Sequence, residues 1–94
     1  MFKIEVGQNG EIVASGRFDA SRVDEVRAVL DTVTARTTID IGGLDYISSA
    51  GIAVLLATQK RLADAGQGLK LVNANDSIKK VFEYSGLAQF FEIE

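Results

Sequence analysis

The sequence contains no cysteine and no histidine. Disulfides, thiol nucleophiles, imidazole acid–base catalysts and the usual structural zinc sites are thereby excluded. Carboxylates, lysines and hydroxyls are what remain for chemistry, and they show no recognised catalytic spacing. Neither a cofactor nor a metal is expected, and the reading is of a protein that is not an enzyme. Proline is absent as well, so no proline kink or cis X–Pro bond enters the fold. Positive charge is in deficit: 10 Lys and Arg face 13 Asp and Glu, for a formal charge of −3. Nucleic-acid backbones call for a basic stripe, whereas Lys60-Arg61 and Lys79-Lys80 are isolated pairs that read as solvated helix surface. Long apolar runs are also missing. The longest, Ile52 to Ala57, falls far short of the ~20 residues of a membrane span, and the N-terminus has no apolar segment followed by a cleavage site. No membrane insertion and a cytoplasmic location are the expectations.

What is present is ordinary globular composition. The 94 residues are 47% hydrophobic and 24% charged, which fits a single domain spanning residues 1–94 that buries roughly two thirds of its unfolded surface. Ile4 and Val6 are separated from Ile12 and Val13 by Gly7-Gln8-Asn9-Gly10, and Asn-Gly between apolar runs is a hairpin signal. Gly16 is expected to break the second strand. Asp19 or Ser21 can cap a helix, whose face is drawn by Val23, Val26, Leu30 and Val33. Thr37 to Ile41 is β-branched and reads as the next strand, bounded by Gly42-Gly43. A second helix begins near Ala50, with Ile52, Leu55, Leu56, Gln59 and Leu62 on its core face, wider burial at Val54 and Ala57, and closure at Gly66 and Gly68. Leu69 to Val72 forms a strand. Asn75-Asp76-Ser77 supplies cap candidates for a third helix carrying Ile78, Val81 and Phe82, ended by Ser85-Gly86, and Phe90 to Ile93 reads as a last strand. The order β-β-α-β-α-β-α-β predicts an α/β fold: an initial hairpin, then alternating helices and strands, with helices packed against a mixed sheet of four or five strands.

Two serines sit where the third strand gives way to the second helix, in Ser48-Ser49-Ala50-Gly51. The first N–H groups of a helix lack partners and its dipole is positive there, so a hydroxyl caps well and an attached phosphate is tolerated. On the local pattern alone the plain cap is the ordinary reading. Gly51 likewise reads two ways, as room for close packing or as room for a partner to approach the serines.

Leu44-Asp45-Tyr46-Ile47-Ser48-Ser49-Ala50-Gly51-Ile52-Ala53-Val54-Leu55-Leu56 is preceded by Gly16-Arg17-Phe18-Asp19-Ala20. It is followed by Leu69-Lys70-Leu71-Val72 and by Val81-Phe82-Glu83-Tyr84-Ser85-Gly86-Leu87. In this order and spacing the blocks resemble a STAS domain of the anti-sigma factor antagonist (anti-anti-sigma) type. The resemblance implies a phosphorylation-controlled, partner-switching protein of transcription regulation. Its unphosphorylated form binds an anti-sigma factor that is also a serine kinase; phosphorylation breaks that contact, and a metal-dependent serine phosphatase restores it. By position the resemblance makes Ser49 the phosphoacceptor, with Ser48 the second choice, since many members carry aspartate where this chain has Ser48 and Ser-Ser variants resemble one branch of the family. Asp19, Ser48, Ser49 and Gly51 are the implied partner-binding residues; Asp19 reads equally as a helix cap. Members commonly continue into a further C-terminal helix, whereas this sequence ends at Glu94, so Leu87, Phe90 and Phe91 are expected to be partly exposed. A monomer or weak dimer is expected.

Two other readings stand beside this one. A constitutive STAS scaffold subunit of a transporter or signalling complex would use Ser49 only as a cap. An enzyme or nucleotide-binding protein would use Asp19, Asp40, Asp45 and the serines, but no glycine-rich phosphate loop followed by lysine is present.

Overall fold

Alternating apolar residues and glycine-marked turns build a five-stranded sheet in the order β1-β2-β3-β4-β5. The computed structural model describes residues 1–94. Strand β1 (Lys3–Val6) and strand β2 (Ile12–Phe18) form the expected antiparallel hairpin. Strands β3 (Thr37–Ile47), β4 (Leu69–Val72) and β5 (Glu92–Ile93) then add in parallel, each on the far side of the one before. Helices α1 (Val23–Leu30), α2 (Ser49–Asp64) and α3 (Asp76–Tyr84) make the crossovers. Right-handed crossovers that always step the same way put all three helices on one face. Burial agrees: Ile12, Ala14 and Phe18 of β2 are buried while Val13, Ser15 and Arg17 between them are not. The core joins this face to Val26, Leu30, Ile52, Leu55, Leu62, Ile78 and Phe82 from the helices.

Several expected boundaries move, each for a physical reason. Gly16 does not end β2. It takes φ +88°, and a Cβ there would lie 1.6 Å from the carbonyl oxygen of Met1. The glycine thus makes room for the N-terminal residues, at a register irregularity between Gly16 and Arg17. Strand β3 runs through Gly42-Gly43 to Ile47 instead of stopping at Ile41. A Cβ on Gly43 would sit 2.7 Å from that of Ser15, so glycine here reports close strand approach. The irregular spacing of the buried residues Ile39, Ile41, Leu44 and Ile47 hides the strand from a period-two reading.

Helix α1 stops at Leu30 and leaves Val33 outside. Arg61, reaching over from α2, donates to the carbonyls of Leu30 (2.9 Å) and Val33 (2.7 Å), and the Thr32 hydroxyl donates to Val29 O at 2.7 Å. These bonds satisfy the open end without another turn of helix. In α2, Ala57 is exposed and Thr58 is buried in its place, its hydroxyl donating to Val54 O at 3.0 Å. The last strand is only Glu92–Ile93, because Ala88–Phe90 forms a 3₁₀ turn. Phe91 is buried edge-on against Phe82, Leu87 is half-buried, and Phe90 is 46% exposed. No helix is long and apolar enough to cross a membrane.

Candidate functional site

The parallel pairing of β2 with β3 ends at Phe18 opposite Ile47, and the Ser48 N–H extends it by donating to Phe18 O at 2.9 Å. Residues far apart in sequence therefore leave the sheet side by side: Asp19 into a 3₁₀ turn (Ala20–Arg22) and Ser48 into α2. The two serines then diverge. Ser48 is extended (φ −85°, ψ 169°) and half-buried, and its Oγ accepts from the Gly51 N–H at 3.1 Å. It is the N-cap of a 16-residue helix. Ser49 is the first helical residue, is exposed, and has no side-chain hydrogen bond within the chain. Its hydroxyl stands at the positive end of the helix dipole.

Gly51 faces inward. It is buried, and a Cβ there would meet Ile47 Cγ1 at 3.0 Å and the Phe18 ring at 3.2–3.3 Å. It acts on the site by letting the first turn of α2 settle against the strand ends. Asp19 caps the 3₁₀ turn rather than α1: its Oδ1 accepts from the Ser21 hydroxyl (2.5 Å) and the Ser21 N–H (3.0 Å), and its Oδ2 from Arg17 Nε (3.2 Å). The Ser21 hydroxyl above all, then the Ser21 N–H and the Arg17 guanidinium, hold its carboxyl below the usual carboxylate range against an opposing desolvation. The carboxylate is ionised at neutral pH.

Two residues that the sequence reading passed over complete the surface. Arg17 lies opposite Tyr46 in the β2–β3 register, and its guanidinium carbon stacks 4.1 Å from the centre of the Tyr46 ring. The available signal was their position one step before Phe18-Asp19 and Ile47-Ser48, but it needs the parallel register to be read. On the other side, Asn75 both caps α3 (Ile78 N–H to Oδ1, 2.9 Å) and donates from Nδ2 to Leu44 O at 2.9 Å. Asp40 accepts from the Gly42 N–H (2.9 Å) and Asn73 Nδ2 (3.0 Å), bracing β3 against the β4–α3 turn. Asp40 is thus a structural carboxylate, and no three carboxylates converge as a metal-holding group.

Neither serine hydroxyl is hydrogen-bonded to a carboxylate or amine, the arrangement an internally activated nucleophile needs. None of the four cavities of the molecule is lined by Asp19, Ser48 or Ser49. The site is open surface, suited to a macromolecule rather than to an enclosed small ligand.

Comparison with known proteins agrees with this geometry. The family described as "Mlab, STAS domain" matches residues 3–93. BtrV of Bordetella bronchiseptica, described as an anti-sigma factor antagonist, is 38% identical over 69 residues, which cover 73% of this chain and 60% of BtrV. The matched part thus spans less than two thirds of that relative. The anti-sigma factor antagonist SpoIIAA in its unphosphorylated form superimposes with a TM-score of 0.70 at 24% identity, covering 100% of this chain and 88% of that one. The phosphorylated form of SpoIIAA, a Bacillus cell fate determinant, gives 0.66 at 25% identity, covering 100% and 91%. With its sheet order, its crossovers and nearly its whole length matched, the chain belongs to the STAS domain family.

Proposed function

We propose that this chain is an anti-sigma factor antagonist whose grip on an anti-sigma factor is switched by phosphorylation of Ser49. The observation that carries the reading is the division of labour between the two serines. Ser48 turns its oxygen inward to cap α2, while Ser49 offers a free hydroxyl to solvent at the helix N-terminus. The unphosphorylated surface of Asp19, Ser48 and Ser49, backed by Gly51, docks against an anti-sigma factor that is also a serine kinase in the cytoplasm. A phosphoryl group brings about −1.5 to −2 charges to Ser49. The helix N-terminus tolerates it, but an interface formed around a neutral hydroxyl does not, least of all beside the ionised Asp19. Loss of about 4 kcal/mol of binding changes affinity roughly a thousandfold, so no refolding is needed. A metal-dependent serine phosphatase resets the switch. The description of BtrV and the existence of SpoIIAA in both phosphorylation states support this reading.

The test is incubation with the purified anti-sigma factor kinase of the same organism and ATP, followed by intact-mass spectrometry and peptide mapping. One phosphoryl group on Ser49 is expected, lost in Ser49→Ala and retained in Ser48→Ala. Equal phosphorylation of Ser49→Ala would sink the assignment. Capture of the kinase by Ser49→Asp as efficient as by the unmodified chain would sink the switch.

A further inference from the structure

Arg17 stands apart from the other arginines whose partners are visible. Arg22 and Arg36 direct a terminal nitrogen to Glu25 and Glu92, and Arg61 uses both on the backbone carbonyls of Leu30 and Val33. Arg17 is held by its middle instead. Its guanidinium lies over the Tyr46 ring at 4.1 Å and its Nε donates to Asp19 Oδ2 at 3.2 Å. Asp19 is in turn fixed by two bonds from Ser21. The two Nη groups have no partner, although the Arg17 side chain is 62% exposed and Tyr46 is 40% exposed.

Stacking and the Nε bond restrict the rotamers of a side chain that otherwise loses much freedom on binding. What reaches solvent is a rigid fork of donors whose geometry matches a carboxylate end-on. Arginine and tyrosine are also the residue types that most often dominate an interface. The fork sits one register step from the strand ends that carry Asp19 and Ser48, at the rim of the serine surface. Its immediate surroundings include Asp19 and the exposed Asp45, in a chain of formal charge −3. One guanidinium in that setting suits a single carboxylate and not a polyphosphate backbone.

We propose that Arg17 is the specificity-determining anchor of this surface: its free fork pairs with an aspartate or glutamate side chain of the anti-sigma factor, and Tyr46 packs against the same partner segment. The inference rests on the switch reading above, since it names the chemistry of the partner at that site. It also identifies the face on which a related anti-sigma factor is rejected, because a basic or apolar residue opposite Arg17 leaves its two Nη groups without an acceptor.

The test is calorimetric titration of the purified anti-sigma factor of the same organism, without ATP, into the unmodified chain and its variants. Arg17→Ala is expected to bind about thirtyfold more weakly, the loss typical of truncating one partner of a hydrogen-bonded charge pair. Arg17→Lys restores only part of this, because lysine lacks the fork. Arg17→Glu is expected to lose binding and to regain it with one Asp→Arg or Glu→Arg variant of the partner, which itself binds the unmodified chain poorly. Unchanged thermal unfolding of these surface variants ties the losses to binding. Affinity of Arg17→Ala within about twofold of the unmodified chain, or failure of every partner charge reversal to rescue Arg17→Glu, overturns the anchor. If that happens while Ser49→Asp still abolishes binding, the switch reading stands alone. If the unmodified chain does not bind, the switch falls and the anchor falls with it.

Discussion

Ser48 and Ser49 are adjacent and chemically identical, yet one peptide step separates an N-cap, whose oxygen is committed to the Gly51 N–H, from a first-turn residue whose hydroxyl is free. Ser48→Ala should therefore lower the stability of the protein by about 1 kcal/mol, the usual cost of a lost cap. Ser49→Ala should stay within about 0.5 kcal/mol, as an exposed site does. Urea denaturation of the two variants checks the difference, and equal losses would contradict the division of labour. Gly51 is constrained from the other side. Gly51→Val pushes branched carbon atoms into Phe18 and Ile47, both buried, and overpacking of this kind costs about 1–3 kcal/mol. Gly51→Ala is milder, since alanine's helix preference of about 1 kcal/mol offsets its tighter contact. Asp19 supplies a pH signature. Its carboxyl is held below the usual range in the folded protein, chiefly by the Ser21 hydroxyl. The stabilisation is fully present above the unfolded carboxylate range and is lost as pH falls below it through the lowered folded value. Between about pH 5 and pH 2 the melting temperature of Asp19→Asn should fall less steeply than that of the unmodified chain. Parallel curves would mean that the Ser21 and Arg17 bonds do not favour the ionised form.

The strand ends and helix starts that build the site are joined by polar side chains reaching between elements. Asn75 satisfies the first turn of α3 through Oδ1 and the Leu44 carbonyl through Nδ2, so one residue couples the third crossover to β3 a few residues before Ser48. Asn75→Ala removes a cap and leaves a partly buried carbonyl without its donor. A loss of about 2 kcal/mol is expected from the two effects together. Asn75→Asp keeps the cap but not the donor, and should recover only about half of that. Chemical denaturation of the pair separates the two roles. Arg61 does similar work at the C-terminal end of α1, donating across to Leu30 and Val33. Such long-range bonds explain why element existence was legible in the sequence while boundaries were not. Periodicity located all three helices and the main strands, but α1 ends where a side chain from α2 satisfies its carbonyls. Likewise β3 passes through Gly42-Gly43 because Ser15 and Asn73 lie against those glycines.

Across the molecule, the exposed Ser49 hydroxyl that carries the candidate function stands apart from the aromatic and aliphatic core, although its neighbours Ser48 and Gly51 also serve stability. Phe82 is fully buried and packs edge-on against Phe91, with ring centres 5.3 Å apart. Phe82→Ala should cost about 3–5 kcal/mol, whereas Tyr84→Ser, at a side chain 83% exposed, should change stability by about 0.5 kcal/mol or less. Unfolding midpoints compare them directly. Ser49 lies just beyond the ends of β2 and β3 with its side chain exposed, so an added charge there meets solvent and not the interior. The amino-acid order by itself determined the class of the fold: hairpin, alternating crossovers, a single apolar face per helix, and a serine pair at a helix start. These are local properties, set by periodicity, glycine and capping chemistry within a few residues. Only the tertiary structure decided which serine caps and which is free, that Gly51 is turned inward, and that Arg17 and Tyr46 stand beside Asp19. Those outcomes depend on the parallel register of β2 against β3, a pairing between distant segments to which no local pattern refers.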